Sequence, residues 1–236
     1  MLKKMIVLCL LLFGFTLFPL SHPVLAADAG NVVVQTIPDE NTLGDKLVSR
    51  AGSSWPWYVA RASGLVAALA LVILMISGIG QISGMTFRLL DPLTAWASHR
   101  ALGITFGIAV LVHMISLLFD HFVQFNIWQI LIPWLSDYQP VTLLGFQLGS
   151  LYVALGVLAF YLTLVIIVTS LIWVERKPHT WKLIHLLSYL TIAFVFVHAL
   201  YLGTDLTHGV YRLLWIMFNV GILGLAITRS WRAFTT

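Results

Sequence analysis

Four of the chain's eight histidines fall into a pattern that can do chemistry. His99 and His113 stand fourteen residues apart in one apolar run, and His185 and His198 stand thirteen apart in another. An ionisable side chain inside such a run is costly and marks function. If both runs are helices crossing a bilayer in the same direction, His99 shares a depth with His185 and His113 with His198. At ~1.5 Å rise per residue the two levels lie ~20 Å apart, and each level offers one imidazole from each of two helices. Facing imidazoles suit the two axial positions of a haem iron, leaving little opening for a substrate at the metal and an iron free to cycle between oxidation states. Two such sites, stacked across the hydrocarbon, make an electron relay in which histidine is a ligand and not an acid or base.

Two other readings of the histidines stand beside this one. Isolated imidazoles can line helix contacts and hydrogen-bond to a neighbouring helix. A non-haem transporter or channel can use them to carry metal ions or protons, but such sites favour added carboxylates, cysteines or methionines at the same depth, and the two runs offer only Met114. The spacing also sets a geometric question. Fourteen residues return to within ~40° of the same helix face, whereas thirteen miss it by ~140°. The second run must reach its two sites from different azimuths or be locally rewound by a bulge.

The elements that position these residues follow from composition. Of 236 residues, 60% are hydrophobic and 9% charged, against about a quarter charged in soluble domains. The expected fold is all-α, an integral membrane helical bundle with five spans after a signal peptide, or six if that peptide is retained. The formal charge of +4 sits singly or in twos at the ends of apolar runs, so it reports topology and not nucleic acid. The only cysteine is Cys9, which excludes disulfides, thiolate metal sites and covalently attached haem. Any haem is therefore of the non-covalent b type.

Residues 1–26 read as a signal peptide, with Lys3 and Lys4, an apolar stretch and small residues around Ala26. Residues 27–54 carry Asp28, Asp39, Glu40, Asp45, Lys46 and Arg50 and are expected to be a flexible extracytoplasmic segment. Spans are predicted at 57–80, 99–119, 151–173, 183–202 and 210–227, forming a membrane domain over residues 55–230. Alternating them from an outside start puts Arg88, Arg100, Arg176, Lys177, Lys182, Arg229 and Arg232 in the cytoplasm and Asp120, Asp137 and Asp205 outside. Trp55, Trp57, Tyr58, Trp134 and Tyr138 resemble an aromatic belt at one interface, and Trp96, Trp173, Trp181 and Trp231 one at the other. Between the second and third spans, residues 125–132 predict a short interfacial helix ending near Pro133.

At the histidine-bearing residues the chain resembles the ferric reductase-like transmembrane domain, shared by ferric reductases, NADPH oxidases and the MsrQ-type membrane cytochromes b. The marks are Ala60-Arg61-Ala62-Ser63-Gly64, His99-Arg100 with His113, Pro133, and Thr169-Ser170. Trp181 before His185, Tyr189, His198 and Gly203-Thr204-Asp205 complete them. The resemblance implies two haems, one held by His99 with His185 and one by His113 with His198, in a multi-pass protein of the bacterial inner membrane that serves as an oxidoreductase subunit. Larger members of the family carry cytoplasmic flavin and nicotinamide domains, and no Gly-x-Gly-x-x-Gly fingerprint stands in this sequence. A separate flavoprotein or a membrane quinol is therefore the expected donor, and a ferric chelate or periplasmic oxidoreductase the expected acceptor. The long polar segment before the first span departs from the MsrQ-type layout.

Two arginines are candidates for the surroundings of the haems. Arg61 either pairs with a haem propionate or snorkels to the outer interface. Arg100 serves either an inner propionate or topology alone. His121, His179 and His208 fall in loops or at span ends as interfacial residues, with His121 and Asp120 the better pair if an acceptor metal ion docks outside, and His22 leaves with the signal.

Overall fold

The computed structural model describes residues 43–143, 146–147 and 149–235. The expected signal peptide and residues 27–42 lie outside the described residues. Helix α1, Leu43–Ile82, runs for 40 residues, about 60 Å at 1.5 Å per residue. The polar lead-in expected to be flexible up to residue 54 is thus helical from Leu43 onward. Once a long helix exists, each added residue gains a hydrogen bond without a new nucleation cost, so the weakly apolar turns before Ser54 propagate from it. Pro56 lies inside the helix and brings no N–H for the carbonyl four residues before it.

A turn containing Gly84, whose φ of +76° only glycine adopts freely, and a one-turn 3-10 helix, Thr86–Arg88, lead into α2, Pro92–Leu117. That helix starts seven residues before the predicted span, because Asp91 caps it and Pro92 occupies its first position. The Asp91 carboxylate accepts from the Thr94 N–H at 3.0 Å, which holds its pKa below the ordinary value. His99 consequently sits two turns inside α2 and not at its end. The predicted short helix after it exists as α3, Ile127–Leu131, started by a reciprocal cap. Asn126 Oδ1 accepts from the Trp128 and Gln129 N–H groups, while the Gln129 side chain accepts from the Asn126 N–H. A two-residue antiparallel pairing of β1, Thr142–Leu143, with β2, Phe146–Gln147, precedes α4, Leu151–Ile172.

The predicted fourth span is two helices, α5, Pro178–His185, and α6, Ser188–Leu202. Between them the ladder tightens: the Leu187 N–H reaches Ile184 O at 2.9 Å and the Tyr189 N–H reaches Leu186 O at 3.1 Å, both three residues back. The rewinding is therefore a 3-10 overwinding and not a bulge. At ~20° extra per residue over about three residues it recovers some 60° of the ~140° mismatch between His185 and His198. The last helix is α7, Val210–Thr235.

Four helical segments among the described residues, Ser54–Ile82, Pro92–Leu117, Leu151–Ile172 and Pro178–Leu202, are long and apolar enough to cross a membrane. The apolar part of α7, Val210–Ile222, is shorter. The molecule is an all-helical, membrane-embedded bundle. Large apolar side chains such as Ile76, Ile108, Ile115, Leu164 and Met217 stand exposed on helix surfaces, an arrangement unfavourable in water and suited to acyl chains.

Inside, α1 packs along α2 and α4 along α6, with α7 against α6 and α1. The α1–α2 contact is made close by Ala67, Ala70 and Ala109 beside Phe106, small residues of the kind that let membrane helices approach. Leu71 and Met75 meet Ile192, Trp215 and Ile222 in the same buried cluster. At the end of α6 the Arg212 guanidinium donates to the carbonyls of Leu200, Leu206 and Thr207, occupying acceptors the helix leaves open.

Candidate functional site

His99 and His113 stand on α2, His185 at the end of α5 and His198 on α6. His99 and His185 come together with ring centroids 6.1 Å apart and planes inclined by 53°. Two imidazole nitrogens each ~2 Å from a shared metal atom put their ring centres about 6 Å apart, so the pair has the separation that axial ligation requires. His113 and His198 stand at the other level, the first against α1 at Ala60 and the second against α4 at Tyr152. The pairing predicted from depth is the pairing observed for His99 with His185.

Each imidazole is oriented through its Nδ1. His113 Nδ1 lies 2.7 Å from Ala60 O, and His198 Nδ1 lies 2.8 Å from Tyr152 O. A backbone carbonyl can only accept, so in both rings Nδ1 carries the proton and Nε2 keeps its lone pair. His99 Nδ1 meets Ser77 Oγ at 2.8 Å, a hydroxyl that also lies 3.0 Å from Leu74 O. His185 Nδ1 faces Ser170 Oγ at 3.4 Å, an oxygen that also accepts from the Trp181 indole N–H at 3.0 Å. Trp181 packs its ring 5.2 Å from that of His185. Among the described residues no hydrogen bond reaches the Nε2 of any of the four histidines. His113 and His198 thus each offer a neutral Nε2 lone pair, as a planar ligand that brings its own in-plane nitrogens requires.

Glycines make room for three of these rings. A Cβ on Gly64 would stand 3.2 Å from His113 Nδ1, one on Gly78 would stand 3.3 Å from His99 Cε1, and one on Gly156 would stand 2.6 Å from the His198 ring. The His113–His198 level uses one device twice: Ala60 O with Gly64 on α1 and Tyr152 O with Gly156 on α4, in each case a carbonyl and a glycine four residues apart on one helix face. The carbonyl turns the ring and the missing side chain admits it.

Arg61 has a partner within the protein. Its Nε donates to Asp205 Oδ2 at 2.7 Å and its second terminal nitrogen to Asp205 Oδ1, a bidentate pair across |i−j| = 144 positions. The guanidinium also lies 5.0 Å over the Trp57 ring. Arg61 is therefore neutralised by a protein carboxylate and ties α1 to the turn after α6. Arg100 is exposed and lies 5.4 Å over Trp96 on its own helix. His121, His179 and His208 are exposed. Asp120 is buried and caps the Phe122 N–H, next to a surface pocket of about 460 Å³ that His121 also lines. No group of three His, Cys, Asp or Glu side chains gathers among the described residues.

The four histidines stand out in the sequence, but the groups that hold them do not. Ser77, the carbonyls of Ala60 and Tyr152, and Gly78 and Gly156 carry no signal in a single sequence, because serine and glycine are ordinary in membrane helices. Ser170, Trp181 and Gly64 stand among the marks of the family resemblance, and their contact with the imidazoles supplies a physical reason for their presence. Compared with known protein families, with curated proteins and with solved structures, the chain matches none.

Proposed function

We propose that the chain is a membrane cytochrome b that carries electrons across the bilayer through two non-covalently held haems. The observations that carry this reading are the approach of the His99 and His185 rings, with centroids 6.1 Å apart, and the His113 and His198 Nδ1 atoms, each donating to a backbone carbonyl and so leaving Nε2 its lone pair. His99 with His185, and His113 with His198, would hold the two haems. A haem bound at either level would supply a one-electron couple. The residues of this chain do the remainder: Nδ1 hydrogen bonds fix ring tautomer and direction, the glycines admit the rings, and the apolar helix faces exclude water.

The protein acts as a ferric reductase-like or MsrQ-like oxidoreductase subunit in the bacterial inner membrane, its start extracytoplasmic. Electrons enter from a flavoprotein or quinol on the cytoplasmic side and leave to a ferric chelate or periplasmic oxidoreductase. Outward flow is favoured by a negative-inside potential, by ~2.3 kcal/mol per 100 mV for a full crossing. Five spans, with α7 as the fifth, satisfy the positive-inside rule.

Visible absorption of the purified protein tests the reading. Reduction with dithionite is expected to give the sharp bands of bis-histidine haem at two haems per chain, and a colourless preparation from haem-replete cells would reject it. His113→Ala or His198→Ala should each remove about half the haem. An equal loss from His121→Ala would instead place the outer ligand on the wrong histidine.

A further inference from the structure

Asp120 is a buried carboxylate with little to balance its charge. The residue is 5% exposed, and its Oδ1 accepts one hydrogen bond, from the Phe122 N–H at 3.0 Å. Among the described residues it belongs to no ion pair. An ionised carboxylate can accept from about four directions, and acids taken out of water are ordinarily paired with a cation or fully hydrogen-bonded. Asp205 shows the contrast, since the Arg61 guanidinium occupies both of its oxygens.

The walls around Asp120 are suited to the missing cation. Beyond the His113-bearing end of α2, Asp120 lines a pocket of about 460 Å³ together with Trp55, Phe119 and Phe125, and with His121 and Gln124 as further polar groups. The Trp55 and Phe119 rings are stacked, 6.5 Å apart and 26° from parallel, and Phe125 is braced edge-on by Tyr138 at 5.7 Å. Aromatic faces attract cations, most strongly those whose charge is spread over carbon-bound hydrogens and is weakly hydrated. A hard metal ion would call for six or more oxygen ligands, and no group of three acidic, histidine or cysteine side chains gathers among the described residues. From the unbalanced carboxylate and its aromatic walls we propose that this pocket binds an organic ammonium group, the charge set against Asp120 and the carbon-bound face against Trp55 and Phe119. The ammonium is carried by the ethanolamine headgroup of a membrane lipid, which the interfacial position of the tryptophan favours, or arrives as a free small amine. The proposal stands on the membrane fold and this pocket, independently of the haem reading.

Thermal unfolding and calorimetric titration of the full chain, purified in a maltoside detergent that carries no ammonium group, test it. Choline and ethanolamine are the probes, and dimethylbutanol, the uncharged carbon isostere of choline, is the control. Both amines are expected to bind saturably and to raise the melting temperature, and the isostere to do neither. Asp120→Asn keeps an acceptor for the Phe122 N–H but removes the charge. It should raise the melting temperature of the unliganded protein, because a buried uncompensated charge is gone, and weaken amine binding by about tenfold or more. A purely structural Asp120 would give a lower melting temperature and unchanged binding. Trp55→Leu should weaken binding by about threefold, as for one partly exposed cation–aromatic contact. In vesicles, a lower choline affinity with phosphatidylethanolamine than with phosphatidylglycerol assigns the pocket to the lipid headgroup, and equal affinities assign it to a free amine. The proposal is overturned if the isostere binds as well as choline, if Asp120→Asn binds the amines unchanged, or if calcium binds at Asp120 and neither amine displaces it. None of these results depends on haem, whose stoichiometry in the same preparation tests the proposed function separately.

Discussion

At Gly156 the presence of one methyl group decides whether His198 can keep its place. A Cβ there would come within 2.6 Å of the imidazole, whereas one at Gly64 would stand 3.2 Å from His113, a gap that a few tenths of an ångström of adjustment can absorb. Alanine is the better helix former by up to ~1 kcal/mol, so loss of cofactor from either variant cannot be assigned to a weakened helix. Gly156→Ala is expected to lose about half the bound haem and Gly64→Ala distinctly less, measured as pyridine haemochrome per protein. Full retention in Gly156→Ala would show that the His198 ring is not held as described. The contrast between histidine and glycine also marks how far the sequence could be read at this scale. An imidazole in an apolar run announces itself by its cost, and the fourteen and thirteen spacings give the depth of each ligand. The glycine that seats it is silent, because its meaning lies in a ring contributed by another helix.

Among the elements, α1 and the end of α6 are joined by the Arg61–Asp205 pair, and its position gives it more than a local role. Arg61 adjoins Ala60, whose carbonyl orients His113, and Asp205 follows the helix that carries His198. Breaking the pair should loosen both ligands of one level. Arg61→Ala and Asp205→Ala are each expected to destabilise the protein, and their double-mutant cycle to return a coupling of about 1 to 2 kcal/mol in thermal unfolding, as for interacting charged groups with charge-assisted hydrogen bonds. Additive effects would mean that the pair contributes nothing specific. Neither residue points to the other in the sequence, where Arg61 reads as a propionate partner or an interfacial cation and Asp205 as a loop acid. The overwound turn at Leu186–Leu187 was half visible: thirteen residues cannot return to one face of a regular helix, so a departure was required, while its kind depended on backbone bonds that no spacing encodes. Insertion of one alanine between Leu186 and Leu187 rotates His185 by ~100° relative to His198. The His99–His185 site should then be lost while the other survives, leaving half the haem.

For the whole molecule the apolar composition was enough to place the chain in lipid, and the exposed apolar surfaces of the helices agree with it. Helix starts were less legible, since α1 extends into the polar segment and α2 begins at the Asp91 cap. Arg212, a cation near the start of α7, is accounted for by the carbonyls it occupies and so does not contradict the charge asymmetry. Alkaline phosphatase fused after Asp137 is expected to be active, and fused after Arg88, Lys177 or Arg232 to be inactive. Activity after Arg88 would invert the proposed orientation, and activity after Arg232 would remove α7 from the spans. One further consequence lies in how the helices are paired. The α1–α2 pair brings His99 and His113, and the stretch α4 to α6 brings His185 at the end of α5 and His198 on α6, so on the haem reading each half of the chain owns one ligand of each site and neither owns a complete one. On the haem reading the porphyrin is then the rivet that joins two separately inserted halves during biogenesis. Cells starved of haem precursor should still synthesise this chain and then degrade it, with its abundance following porphyrin supply while its messenger stays constant.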